Sequence, residues 1–284
     1  MKVKVFLMQL KSKVGDFKYN LDRAISVIKE DVLKDNSNVD LKFAIFPELY
    51  LPGYLAQDLH FRLAKTIDSE EVKILRRLIK NTDTYIIIGL AEKDETFSGI
   101  FNSALLLSPD GRYMFFRKRH LPTYGMFDEY RYFKPYRGSL RVFKVNEKFR
   151  VGVGICYDAF FPEISRTMLF KNAVMHVYIS AAPDMSRKFF ETFISARAME
   201  NTIYVAYVNS VGFYDGIGFF GGSFIVNPLG EVICRAKYFS EDVVSAVINI
   251  DEINYLREKR PIIKDISILD IDDMRNSFLN MGMK

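Results

Sequence analysis

Three side chains stand where an apolar, strand-like run gives way to a turn, and their types suit acyl transfer: Glu48, Lys118 and Cys156. Cys156 follows Val151, Val153 and Ile155, which alternate with glycines as in a buried strand, and it precedes Pro162-Glu163, a pair suited to the first turn of a helix. A thiol on such a strand-to-helix turn is expected at the end of a sheet, near unpaired N–H groups and the positive end of a helix dipole, where thiolate and oxyanion are both favoured. The competing reading is a small buried hydrophobe. Glu48 follows the apolar run Lys42 to Phe46 and the strand-ending Pro47, and Lys118 leaves a second strand-like segment, Tyr113 to Arg117. A carboxylate raised by desolvation can take the thiol proton, and a fixed cation can stabilise the oxyanion of a tetrahedral intermediate. Taken singly, Glu48 also admits a reading as a cap, the weaker of its two, and Lys118 reads equally as a surface cation; their arrival together at strand ends favours a site. Histidine is a poorer base here, because His60 follows Asp58-Leu59, His176 lies inside an apolar run, and only His120 falls near a candidate residue.

The elements that would position these groups alternate along the chain. Val3 to Gln9 predicts a strand, and Leu21, Ala24, Ile25, Ile28 and Val32 follow at helical spacing. Asp68 with Glu71 predicts a capping box opening a helix through Val72, Leu75, Leu78 and Ile79. Thr84 to Gly89 is a further strand, and Pro109-Asp110-Gly111 predicts a hairpin between Asn102–Leu107 and Tyr113–Arg117. After the Cys156 turn come a helix to Lys171, a strand from Val174 to Ser180, a helix from Arg187 to Glu200 and a strand from Ile203 to Asn209. Asn227-Pro228-Leu229-Gly230 predicts a second hairpin, Val243 to Ile250 a last strand, and the pattern gives no clear element from Asp251 onward. Such alternation with interleaved hairpins implies an α/β fold with mixed sheets covered by helices. No G-x-G-x-x-G follows the first strand, which disfavours a dinucleotide-binding fold.

Composition narrows the function classes. At 284 residues and 49% hydrophobic, the chain can bury a large core as one domain. The net charge of +5 comes from scattered Lys and Arg, so a solvated surface is expected and nucleic-acid binding is not. Cys156 and Cys234 share no C-x-x-C or zinc spacing, so neither a disulfide framework nor a metal site is expected. The opening Lys2 to Met8 is too short for a secretory segment, and no run approaches the roughly 20 apolar residues of a membrane span. A cytoplasmic location, where thiols stay reduced, is the expectation.

The three groups stand within longer phrases. Phe46-Pro47-Glu48 with Gly53-Tyr54, Arg117-Lys118-Arg119-His120-Leu121-Pro122, and Gly154-Ile155-Cys156-Tyr157-Asp158 with Pro162-Glu163 resemble, in order, the three motifs of the nitrilase superfamily of carbon–nitrogen hydrolases. Gly125-x-Phe127-x-Glu129 resembles the family's supporting glutamate segment. The resemblance runs from residue 1 to about residue 250, leaving 251–284 as an extension that would pack on the domain or on a partner. It implies a four-layer α-β-β-α sandwich, no metal or organic cofactor, and a homodimer or higher homo-oligomer. By this resemblance Cys156 is the nucleophile, Glu48 the general base and later acid, Lys118 an oxyanion donor, Glu129 the residue orienting lysine and substrate, and the Tyr157 N–H the second oxyanion donor. The implied reaction is hydrolysis of a linear amide through a thioester, with ammonia released.

Local phrases are most similar to the glutaminase domain of NAD synthetases: Gln57-Asp58-Leu59 after Tyr54, the run from Leu121 through Tyr124 to Phe133, Ala196-Arg197-Ala198, and Tyr207 to Gly212. No S-G-G-x-D adenylate-binding segment occurs, so the chain is not expected to make NAD itself. Where that glutaminase carries Asn-Ala-Ser-Pro, this chain reads Ser180-Ala181-Ala182-Pro183, and the missing hydroxyl at Ala182 weighs against glutamine. A small-molecule amide is the leading substrate. A glutaminase subunit serving a separate synthetase, and an idle scaffold protein, are the alternatives.

Overall fold

The computed structural model of the protein describes residues 1–94 and 99–282. In chain order its elements are β1 (Lys2–Gln9), α1 (Phe17–Val27), β2 (Leu41–Ile45), α2 (His60–Leu63), α3 (Glu70–Ile79), β3 (Thr84–Lys93), β4 (Ile100–Leu107), β5 (Tyr113–Arg117), β6 (Phe143–Lys144) and β7 (Arg150–Ile155). They continue through α4 (Pro162–Phe170), β8 (Met175–Ser180), α5 (Arg187–Asn201), β9 (Tyr204–Asn209), β10 (Val211–Tyr214), β11 (Ile217–Phe220), β12 (Phe224–Val226), β13 (Val232–Arg235), β14 (Asp242–Asn249), α6 (Asp251–Lys259) and α7 (Ile268–Asn280).

Two six-stranded sheets carry the architecture, in the orders β14-β1-β2-β3-β4-β5 and β13-β12-β9-β8-β7-β6. Each is mixed. β1, β2 and β3 run parallel, as do β7, β8 and β9, while β14, β4, β6 and β12 flank them antiparallel. The period-2 alternation of the strands explains why both sheets are covered on both faces. Val3, Val5 and Leu7 of β1 join Phe43, Ile45, Tyr85 and Ile87 in the core shared with the second sheet. Phe6 and Met8, one residue out of phase, pack instead with Leu21, Ala24, Val72, Leu75 and Ile79 of α1 and α3. On the far side, Ile164 and Met168 of α4 and Phe190, Ile194 and Ala198 of α5 close the second sheet. The layers are therefore α-β-β-α, as the motifs imply.

Two glycines are required by close approach. A Cβ on Gly152 of β7 would sit 2.4 Å from the Met168 sulfur, so this glycine lets α4 lie against the strand. One on Gly89 of β3 would sit 2.3 Å from both the Leu49 N and the Pro47 O, so the turn carrying Glu48 rests on bare backbone.

Three sequence expectations need correction or completion. Asp68 does not cap α3: the N-cap position is Ser69, whose hydroxyl accepts from the Thr66 N–H, while Glu71 pairs with Lys65 at 2.5 Å. The hairpin β10–β11 was not anticipated, although Asp215-Gly216 at its tip has positive φ at both residues (48° and 80°), the backbone of a type I′ turn. Finally, the segment after Asp251 forms two helices; α6 buries Ile253, whereas α7 leaves Ile268, Leu269, Met274, Phe278 and Leu279 exposed. Among the described residues no helix is long and apolar enough to cross a membrane.

Candidate active site

Glu48 follows β2, Lys118 follows β5, and Cys156 follows β7, so the two sheets deliver all three to one end of the sandwich. Lys118 is fully buried, and its ammonium donates to Glu48 Oε1 at 2.7 Å and to Glu129 Oε1 at 2.6 Å. Burial alone would drive its proton off, but the Glu129 and Glu48 carboxylates outweigh that cost and hold its pKa above the ordinary lysine value. Glu129 meets the opposite balance. Burial pushes it up, the Lys118 cation pulls it down and Glu48 adds repulsion, leaving the carboxyl at about 7. Two carboxylates thus share one cation.

Glu48 is fixed on all sides. Beyond Lys118, the Asn102 side chain donates to Oε1 at 2.7 Å and the Ala181 N–H donates to Oε2 at 2.8 Å. Neither partner was singled out from sequence, since an asparagine at the start of a strand and an alanine amide carry no signal until the sheets are docked. Tyr54 donates its hydroxyl to Glu129 Oε1 at 2.7 Å, so this predicted position is part of the cluster.

Cys156 opens a single 3₁₀ turn, Cys156–Phe160, with φ of +47°. A non-glycine residue in the left-handed region is strained, and such strain is held at functional turns by its surroundings. The thiol is not exposed as the strand-to-turn position suggests: Cys156 is buried, beneath a space of about 10 Å³, the size of one water. Nor does the turn favour the thiolate. Burial pushes the thiol well above its usual range and the Glu48 charge adds to this, with Lys118 opposing, so at rest the sulfur keeps its proton. Deprotonation must therefore be coupled to attack, with a base at hand. Cys234 lies in β13, where burial pushes its thiol to about 11.

Asp158 locks the turn in register with Lys118. Its carboxylate accepts from the Ile155 N–H at 3.2 Å, the His120 N–H at 3.0 Å and His120 Nδ1 at 3.0 Å. His120 is further stacked on Phe161 at 3.6 Å, so its ring is engaged away from the thiol and a cysteine–histidine pair is not formed. The space over Cys156 is lined by Pro122, Tyr124, Phe127, Tyr157, Phe160, Ala182 and Pro183, with Ser186 and Phe190 completing it. Tyr124, half exposed, packs edge-on against Phe127 and Tyr157. Ala182 is held by Asn209, which accepts its N–H at 2.8 Å. Glu48, Lys118, Glu129 and Tyr54 thus form one hydrogen-bonded cluster, and Cys156, Tyr124, Tyr157 and Ala182 line one space.

With fold and geometry in hand, the chain belongs to the carbon–nitrogen hydrolase family, whose model matches residues 4–258. Among its relatives, it is 35% identical over 259 residues to a glutamine-dependent NAD(+) synthetase from Thermotoga maritima, a match covering 88% of this chain and 43% of the relative. The chain thus spans less than half the length of that synthetase. It is 30% identical over 268 residues to an (R)-stereoselective amidase from a Pseudomonas species, covering 91% of this chain and 92% of the relative. A carbon–nitrogen hydrolase structure from Helicobacter pylori G27 superposes with a TM-score of 0.85 at 24% identity, over 96% of this chain and 98% of that one, and supports the fold.

Proposed function

We propose that the protein hydrolyses a small linear amide through a thioester on Cys156. The observation that carries this reading is the buried Glu48–Lys118–Glu129 chain, with contacts of 2.7 and 2.6 Å, beside a thiol held at positive φ. Glu48 takes the Cys156 proton as sulfur attacks the amide carbon, and the oxyanion forms against the Lys118 ammonium and the Tyr157 N–H, an early amide of the 3₁₀ turn. As the C–N bond breaks, Glu48 returns the proton to nitrogen and ammonia leaves. Water then attacks the thioester, giving its proton to Glu48, and the C–S bond breaks to restore the thiol.

The apolar and aromatic walls over Cys156, with Ala182 among them, favour a neutral acyl group over the charged amino-acid end of glutamine. A glutaminase that feeds a separate synthetase is the second reading, supported by the Thermotoga maritima relative. In both readings the catalytic domain ends near residue 250, the protein acts in the reducing cytoplasm, and the exposed apolar side of α7 meets a second copy of the chain. Incubation with a panel of small amides, glutamine and nitriles, followed by ammonia assay and intact mass, tests the chemistry: an acyl adduct on Cys156 that the Cys156→Ala variant lacks is expected. An adduct on Cys234, or turnover without Cys156, refutes it.

A further inference from the structure

The space over Cys156 is about 10 Å³, room for one water, and the residue itself is 5% exposed. Even the smallest primary amides have several heavy atoms, so part of the wall has to move before an amide carbon can reach the sulfur. Most of the wall is fixed. Phe190 of α5 and Ala182 are buried, and Asn209 accepts the Ala182 N–H at 2.8 Å. The turn bearing Tyr157 and Phe160 is held by Asp158, which accepts from the Ile155 and His120 N–H groups at 3.2 and 3.0 Å.

The remaining side is the turn from Tyr124 to Phe127. Inside it the Phe127 N–H donates to the Tyr124 carbonyl at 3.0 Å, and the Glu129 N–H donates to the Pro122 carbonyl at 3.3 Å to close its base. The half-exposed Tyr124 ring meets Phe127 at 5.6 Å and Tyr157 at 5.7 Å, and its hydroxyl neighbours that of Tyr157. Gly125 takes a φ of +58°, and a Cβ there would meet nothing within 4 Å. What glycine contributes at this position is therefore backbone freedom, which other residues lack at positive φ. Behind the turn there is room. Met126, Phe127 and Asp128 also line a cavity of about 180 Å³ on the Glu129 side, and the Phe127 ring is the partition between that cavity and the space over Cys156. Rotation of this ring about χ1 into the rear cavity would remove the partition.

We propose that the Tyr124–Phe127 turn is a gate over Cys156: it moves at Gly125, the Phe127 ring swings into the cavity behind it, and the two spaces join into one that admits the substrate. The gate governs any reagent that approaches the sulfur. Only its use by an amide rests on the amidase reading.

Alkylation of Cys156 by iodoacetamide, followed by intact mass in a Cys234→Ser background so that one thiol reports, reads the gate without turnover. Gly125→Ala penalises the resting turn alone and should raise the rate about fivefold, because the open form no longer demands a positive φ. Gly216→Ala, at the tip of the β10–β11 hairpin with a φ of +80° and likewise nothing within 4 Å, should leave the rate unchanged. Leu55→Trp fills the rear cavity and should slow alkylation about tenfold by denying the ring its place. Phe127→Ala should raise the rate, and in that background Leu55→Trp should have no effect, since no ring is left to swing. If Leu55→Trp slows both backgrounds alike, it acts through its neighbour Tyr54 and the gate is overturned. An unchanged rate in Gly125→Ala, or an equal rise in Gly216→Ala, overturns it as well. For propionamide, kcat/KM should fall with Leu55→Trp by the same factor of about ten, equivalent to roughly 1.4 kcal/mol. Gated alkylation with propionamide turnover unaffected overturns this route for the amide. Gated alkylation with no amide hydrolysed overturns the amidase reading and leaves the gate standing.

Discussion

Gly89→Ala is the sharpest probe of how the fold holds Glu48, the proposed general base. The added Cβ would lie 2.3 Å from the Leu49 N and the Pro47 O and 2.7 Å from the Glu48 carbonyl carbon. Van der Waals contact for such atoms begins at about 3.5 Å, so the turn has to move by roughly 1 Å, and backbone atoms cannot rotate aside as a side-chain tip can. Glu48 is held by bonds of 2.7, 2.7 and 2.8 Å to Lys118, Asn102 and Ala181. A shift of that size takes them past the roughly 3.2 Å limit of a good hydrogen bond. Misplacing a reacting group by about 1 Å costs on the order of a hundredfold, so kcat for ammonia release should fall by about that factor. The overpacking itself should cost about 1–3 kcal/mol in stability. Ile88→Val on the same strand supplies a control of about 0.5–1.5 kcal/mol that leaves the turn alone. Both variants should remain folded by circular dichroism, and only the first should lose turnover. A G89A enzyme within about threefold of wild-type kcat would refute the argument, because it would mean the turn moves without disturbing Glu48.

Other expectations follow from the same geometry. Glu48→Gln keeps the shape but cannot accept a proton, and should lose about a hundredfold or more in kcat, whereas His120→Asn should be milder; the reverse order would restore a histidine base. Ala182→Ser should raise glutamine turnover relative to propionamide, and a native enzyme preferring glutamine by more than about tenfold would remove Ala182 as a specificity determinant. Because Glu129 is raised from an ordinary 4.5 to about 7, the folded state binds the extra proton, so this residue's contribution to stability falls as pH rises from about 4.5 to 7 and is flat above. In chemical denaturation Glu129→Gln should lose that slope relative to wild type; an unchanged slope would place the titration elsewhere.

Much of the molecule is legible in the chain because its signals are local. The Pro109-Asp110-Gly111 turn, the glycine-interleaved β7 and the apolar faces of α3 and α5 declare themselves within a dozen residues. Glu48, Lys118 and Cys156 could be picked out because each ends a strand. What stayed hidden needs contacts between distant segments. Asn102 and the Ala181 N–H matter only once the sheets dock, and the burial that pushes the Cys156 thiol up is a property of the assembled core. Asp215-Gly216 is different: it carries a turn signal, but the four-residue strands on either side are too short to show an alternation. In α7, Ile268, Ile271, Met274 and Phe278 recur at helical spacing, but the helix buries none of them within this chain, so no packing against the core marks where it begins and ends.

The placement of Glu48, Lys118 and Cys156 across two sheets has a kinetic corollary. Glu48 and Lys118 leave the sheet that ends at β5, while Cys156 and the Ala181 amide leave the sheet that ends at β6. Neither sheet holds a complete site. Helices and hairpins form within about microseconds, but contacts between segments as far apart in sequence as Glu48 and Ala181 carry a loop-closure cost and come later. During refolding from denaturant, far-ultraviolet dichroism should therefore recover before hydrolysis does. Turnover becomes a clock for the moment the two halves of the sandwich meet, and a refolding trace in which activity returns together with the first helical signal would show that docking precedes the elements it joins.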